Sequence, residues 1–170
     1  SMTGTFMKSI RTVLLPPLLL ALTLLQGRGF HLRGEVSLLN EMSSTWIAGQ
    51  GVSSGLTHSV GNAIRNSNGD TARSEKEASA ILLLSNESFS RQVATVGSDG
   101  KVSEYQLSYQ LDWELSNKQG TVLREGTLKQ RENYQYSANQ LLGKSQEEKH
   151  LRQRMVREVT RDLMRSLRQK

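Results

Sequence analysis

Few residues of this chain have the type and spacing that covalent or metal chemistry requires. Its histidines are His31, His58 and His150. None stands four residues from another, the step that lets one helix face offer two imidazoles to a metal. Cysteine is absent from all 170 residues, which excludes thiolate nucleophiles, disulfides and thiolate-held zinc or iron–sulfur centres. Serines are plentiful, but none sits in the Gly-x-Ser-x-Gly turn that lifts a hydroxyl above a sheet. Gly49 and Gly51 are followed by Val52-Ser53-Ser54, which breaks the dinucleotide fingerprint, and there is no Gly-Lys-Ser/Thr phosphate loop. Asp112 and Glu114 share the polar face of a strand pattern, as solvated charges do. Nothing assembles a nucleophile, a base and a group to orient it. The residues therefore read as a non-enzyme without a cofactor. A cryptic Ser–His pair near His58 or His150 is the one catalytic alternative.

Charge is the stronger signal. The chain has 22 basic and 16 acidic residues, a net charge of +6. From Lys149 onward stand Lys149, Arg152, Arg154, Arg157, Arg161, Arg165, Arg168 and Lys170, against Glu158 and Asp162 alone. The rest of the mature chain is close to neutral, so the excess is a basic C-terminal helix on a balanced domain. Such a helix is a solvated face, a partner for phosphate groups on nucleic acid or lipid A, or a membrane-surface element. The narrow apolar stripe of the helix, needed against the sheet, weakens the last of these, and the N-terminus weakens nucleic acid. After residues 1–6, an added or alternative start, Met7 leads into Lys8 and Arg11 and then the apolar stretch Val13–Leu25. A short apolar run behind positive charge reads as a secretory signal over residues 1–27, because a membrane span needs about 20 residues. An export signal argues against nucleic acid and favours an anionic glycolipid. Leu25-Gln26-Gly27 has the form that precedes the acylated cysteine of a bacterial lipoprotein, but Arg28 occupies the cysteine's place. This form is expected to be unlipidated and poorly cleaved.

The elements that would position these groups are legible downstream. Residues 28–40 show no periodicity and read as an extended tether, leaving 41–170 as a single α+β domain. Ser44–Ala48 reads as a short strand and Gly49–Gly55 as a loop. Leu56, Val60, Ala63 and Ile64 recur at helical spacing behind an N-cap at Ser53 or Ser54, and Asn68-Gly69 stops that helix. Ile81–Leu84 begins another strand, and Phe89–Val96 continues extended. Ser98-Asp99-Gly100 marks a hairpin turn. Tyr105, Leu107, Tyr109, Leu111, Trp113 and Leu115 then alternate with polar residues, so one face of that strand is buried and the other is wet. Asn117–Gly120 is a second turn, and Thr121–Tyr136 a further strand. Ser145 and Glu148 form a capping-box pattern ahead of a helix whose Leu151, Met155, Val159 and Leu163 make a narrow stripe. The order β-α-β-β-β-α predicts a two-layer sandwich, a four-stranded mixed sheet with both helices on one face.

Three stretches resemble one family. They are Gly29-Phe30-His31-Leu32-Arg33-Gly34 behind the signal, the turn and strand Asp99–Leu107, and Leu141-Leu142-Gly143-Lys144-Ser145-Gln146-Glu147-Glu148 leading into the basic helix. Together they look like the LPS-assembly lipoprotein family LptE (RlpB), of a betaproteobacterial kind. The resemblance implies a plug and assembly partner held 1:1 inside the β-barrel LptD at the periplasmic side of the outer membrane, with lipopolysaccharide as ligand. It places Lys144 at the family's strand–helix junction as a lipopolysaccharide contact. Arg131 and Lys129, on the preceding strand, are weaker candidates with no motif behind them. A second basic position of some relatives falls near Ser98, where this chain has no cation. Arg28 stands at the family's lipid-bearing cysteine, so the outer-membrane lipid anchor of the family is expected to be absent here, with this form soluble in the periplasm or uncleaved. The alternative is an unrelated periplasmic adaptor or ligand carrier, which would need a concave apolar pocket.

Overall fold

The computed structural model describes residues 37–137 and 141–170, and the side chains of the last helix from residue 146 onward. The expected signal over residues 1–27 and the replaced cysteine at Arg28 lie outside the described residues. A single-turn helix, Asn40–Ser43, leads into strand β1 (Ser44–Gln50) and helix α1 (Ser54–Asn66). A two-residue strand, β2 (Asp70–Thr71), and another single turn, Glu75–Glu77, precede three long strands: β3 (Ala80–Val96), β4 (Val102–Asn117) and β5 (Val122–Gln135). Helix α2 (Leu141–Ser166) is the last element. The sheet order is β2-β1-β3-β4-β5, with β1 parallel to β2 and β3 and the remaining pairs antiparallel. This is the expected mixed α+β sandwich with one strand added. Asp70 and Thr71 are too short a run to leave a periodic trace in the sequence.

Alternation on β4 builds the core. Leu107, Tyr109, Leu111, Trp113 and Leu115 are buried. Leu115 stands opposite Leu82, Trp113 opposite Leu84 and Leu111 opposite Leu128. The helices cover this face with Leu56, Val60 and Ile64 from α1 and Leu151, Met155, Val159 and Leu163 from α2. The stripe on α2 is wider than the step-of-four pattern implies. Thr160, Met164 and, just past the helix, Leu167 are buried beside it, and the Thr160 and Ser59 hydroxyls lie 2.9 Å apart where the two helices meet. Trp113 lies over Gly126, its partner on β5, where a Cβ would come within 3.1–3.3 Å of the indole.

Caps and turns follow the sequence closely, with one correction. Ser53 Oγ accepts from the Leu56 amide at 3.3 Å and caps α1. At its other end Asn68 takes the left-handed conformation (φ 62°) and the Gly69 amide returns to the Ile64 carbonyl at 3.0 Å. Gly100 and Gly120 sit at positive φ in the two hairpin turns. The capping box is overturned: α2 begins at Leu141, so Ser145 lies inside the helix, and Glu148 reaches across to the sheet. The far end of α2 is capped from β5, where Arg124 donates to the carbonyls of Ser166 (2.6 Å) and Arg168 (2.7 Å). Ser37–Asn40, the end of the segment read as a tether, is held by the body. Leu38 is buried and pairs with Arg168, the Leu39 amide bonds the Leu167 carbonyl, and the Gln169 amide bonds that of Ser37.

Candidate functional surface

The strand alternation that buries one face turns the other outward, and no helix among the described residues covers it. Across β3, β4 and β5 this open face carries rows of polar side chains, two of which end in a cation. Ser90, Ser108 and Arg131 are in register, as are Gln92, Gln106 and Asn133, and Ser88, Gln110 and Lys129. Cross-strand bonds tie the rows together: Gln106 Nε2 donates to Asn133 Oδ1 (3.2 Å), and Thr127 Oγ1 donates to Asp112 Oδ1 (2.6 Å). Asn86 Nδ2 donates to Asp112 Oδ2 at 2.8 Å. The Thr127 hydroxyl, then the Asn86 amide, hold the Asp112 carboxyl below its ordinary pKa of 3.8. Such a face binds water well and other polar surfaces equally well.

Lys129 and Arg131 stand two apart on this face, exposed, at the edge strand. Position 144 belongs to the first turn of α2, in the other layer, and its side chain lies outside the described residues. Lys129 and Arg131 thus share the open face, while position 144 belongs to a helix of the other layer. One turn further on, α2 is tied to the sheet by groups the sequence reading missed. Glu148, one turn after Lys144, pairs with Arg91 of β3 at 3.1 Å and accepts from the Tyr134 hydroxyl at 3.4 Å. Tyr105 stacks on Tyr134 (centroids 5.7 Å) and meets Tyr136 edge-on (5.0 Å), with the Arg91 guanidinium 4.8 Å above its ring. Period two places Tyr105 and Tyr109 on the helix side, but no local signal announces that Arg91 and Glu148, 57 residues apart, will meet.

A second joint holds α1. Between Ser85 and Ser88 the β3–β4 register slips, with Asn86 at φ 51°. Glu87 there accepts from the Ser53 amide and hydroxyl (both 3.1 Å) and from the Tyr109 hydroxyl (2.6 Å). Burial first, then the bond to the Glu87 carboxylate, pushes the Tyr109 phenol far above its ordinary value of 10.0.

The basic helix is partly neutralised. Arg154 pairs with Glu132 at 3.5 Å, Arg161 with Glu158 at 3.1 Å, and Arg165 with Asp162. Arg152 lies 4.0 Å over the Phe89 ring. Lys149, Arg157 and Arg168 are exposed and make no ion pair among the described residues. His58 and His150 are exposed and line open grooves of about 660 and 680 Å³. No serine hydroxyl hydrogen-bonds either histidine among the described residues. No described group of histidine and carboxylate residues has metal-site geometry, and no described helix is long and apolar enough to cross a membrane.

Fold and surface thus define a class: a two-layer α+β protein with a packed helix side, a bare polar sheet side and a half-neutralised basic helix. A sequence model of the family described as LptE, Lipopolysaccharide-assembly, matches residues 42–167, and the chain belongs to that family. No curated protein matches it in sequence. Among solved structures it is similar to uncharacterized lipoprotein B from Nitrosomonas europaea (TM-score 0.68, 18% identity, 81% of this chain and 89% of that one). It is also similar to rare lipoprotein B from Shewanella oneidensis (0.63, 20%, 72% and 92%) and to a minor lipoprotein from Acinetobacter baumannii (0.63, 16%, 74% and 90%). At these identities the likeness is one of fold.

Proposed function

We propose that this chain acts without catalysis as the plug and assembly partner, 1:1, of an LptD β-barrel at the periplasmic side of the outer membrane, and that it binds lipopolysaccharide there. The observation that carries this reading is the bare polar face of the sheet. Large outer-membrane barrels have polar lumens, and a sheet whose outward rows are Ser, Gln, Asn and Thr, with Lys129, Arg131 and Asp112 among them, presents polar groups to such a lumen. Lys144 is the proposed lipopolysaccharide contact. Lys129 and Arg131, on the open face of the sheet, are weaker candidates for the same ligand. Arg28 stands where a lipid-bearing cysteine is expected, so mass spectrometry of the N-terminus should find no thioether-linked lipid.

The test is co-expression of the tagged chain with its cognate LptD, followed by affinity capture in detergent. Equimolar recovery is expected. Failure to recover the barrel with a chain shown folded by circular dichroism overturns the partnership and brings forward the periplasmic adaptor. Lys144→Asp should weaken lipopolysaccharide binding at least several-fold while leaving barrel capture intact. Charge reversal at Arg154, already paired with Glu132, should do less.

A further inference from the structure

The two ends of the sheet order are not alike. Beyond β1 lies β2, and it pairs with Ser44 and Thr45 only. The Ala72 amide reaches the Thr45 carbonyl at 2.8 Å, after which the chain departs into the turn Glu75–Glu77. In a strand, successive residues aim their amide and carbonyl to alternate sides. Thr45 aims toward β2, so Ile47 and Gly49 aim the same way, and no described strand meets them. A groove of about 660 Å³ runs beside this open edge. Its roof is one stripe of α1 that includes His58, Gly61 and Arg65, and Trp46 stands at its floor. Gly61 is buried in this roof, and a Cβ there would stand 3.4 Å from the Arg65 guanidinium and 3.6 Å from Ile47, so a larger side chain would enter the groove.

The charge of the groove is one-sided. Arg65 donates to the Thr71 hydroxyl (2.9 Å) and the Asn62 side-chain amide oxygen Oδ1 (2.6 Å), both neutral. It makes no ion pair among the described residues, and no carboxylate lines the groove. Open sheet edges are normally blunted by charged side chains or covered. Here the edge of β1 beyond Thr45 is left beside an open groove, with a cation in its lining. We infer that this edge is a strand-addition site: it takes an extended acidic segment of a partner protein, in line with β2 and beneath α1, which pairs with Ile47 and Gly49 and sets a carboxylate against Arg65. Strand addition draws affinity from main-chain bonds and specificity from side-chain pockets, and both parts are present.

The inference is independent of lipopolysaccharide binding and of the barrel. Its test uses the purified protein and two eight-residue peptides of alternating valine and charged residues, one with glutamates and one with lysines. Binding is followed by backbone amide NMR and hydrogen exchange. The glutamate peptide should bind at least ten-fold more tightly than the lysine peptide and slow exchange at Ile47 and Gly49 at least ten-fold. Arg65→Glu should invert the preference, a result that damage to the fold cannot imitate. Gly61→Gln, in protein shown folded by circular dichroism, should abolish binding of both. No saturable binding at millimolar peptide, binding that leaves Ile47 and Gly49 unprotected, or a preference unchanged in Arg65→Glu would each overturn the inference.

Discussion

The helix side and the open side of the sheet are built from the same strands, one residue apart. On β4, Leu107, Leu111 and Leu115 have no exposed surface, while Gln106, Gln110 and Glu114 between them look outward. The helix side is held by apolar burial, about 25 cal/mol per Å² removed from water. The open side gains little from folding, because its polar groups exchange water for each other at a net of about 1 kcal/mol per bond or less. The difference teaches that stability and recognition are separated by face here and not by region. A substitution's cost should follow the parity of its position before its neighbourhood in the chain.

Four substitutions sharpen or break that rule. Leu111→Ala empties a site at the centre of the helix side and should cost about 3 kcal/mol, read as a lower urea midpoint at unchanged slope. Gly126→Val drives a branched side chain into the Trp113 indole, 3.1–3.3 Å from where its Cβ must go, and should cost about 2 kcal/mol by the same measurement. Tyr109→Phe removes the bond to Glu87 and should cost about 1 kcal/mol at neutral pH. It also carries a pH signature. Because the folded-state pKa of Tyr109 is raised above its ordinary 10.0, its contribution is complete below that pH and is lost as pH rises above it. The alkaline fall in stability should therefore be shallower in Tyr109→Phe. Smallest is Gln110→Ala on the open face, expected within about 0.5 kcal/mol of the parent. A larger loss there would break the rule by parity.

Much of this organisation was legible beforehand where the pattern is local. The eleven-residue alternation from Tyr105 to Leu115, the cap expected at Ser53 or Ser54 and found at Ser53, and both hairpin turns need only near neighbours. Three features escaped because they depend on distant chain. β2 exists because two residues fall beside β1, not because Asp70-Thr71 is strand-like. Glu148 looks like half of a capping box until Arg91 and Tyr134 appear across the layer. Leu38 looks like tether until the residues around Arg168 fold back over it. The candidate site was less legible than the fold. Lys129 and Arg131 could be picked as cations, but only the register shows them on the face opposite α2.

The placement of α2 as the last element has a consequence for a chain that emerges from its N-terminus. Everything through Gln135 can pair into a sheet first. Until the segment Leu141–Ser166 follows, Leu107, Leu111 and the Tyr109 ring have no cover from α2. An arrested or truncated chain ending before α2 would be a sticky half-sandwich, prone to associate through the face that later becomes the core. The basic residues of α2 would then help to keep that final segment in water until it closes over its own sheet.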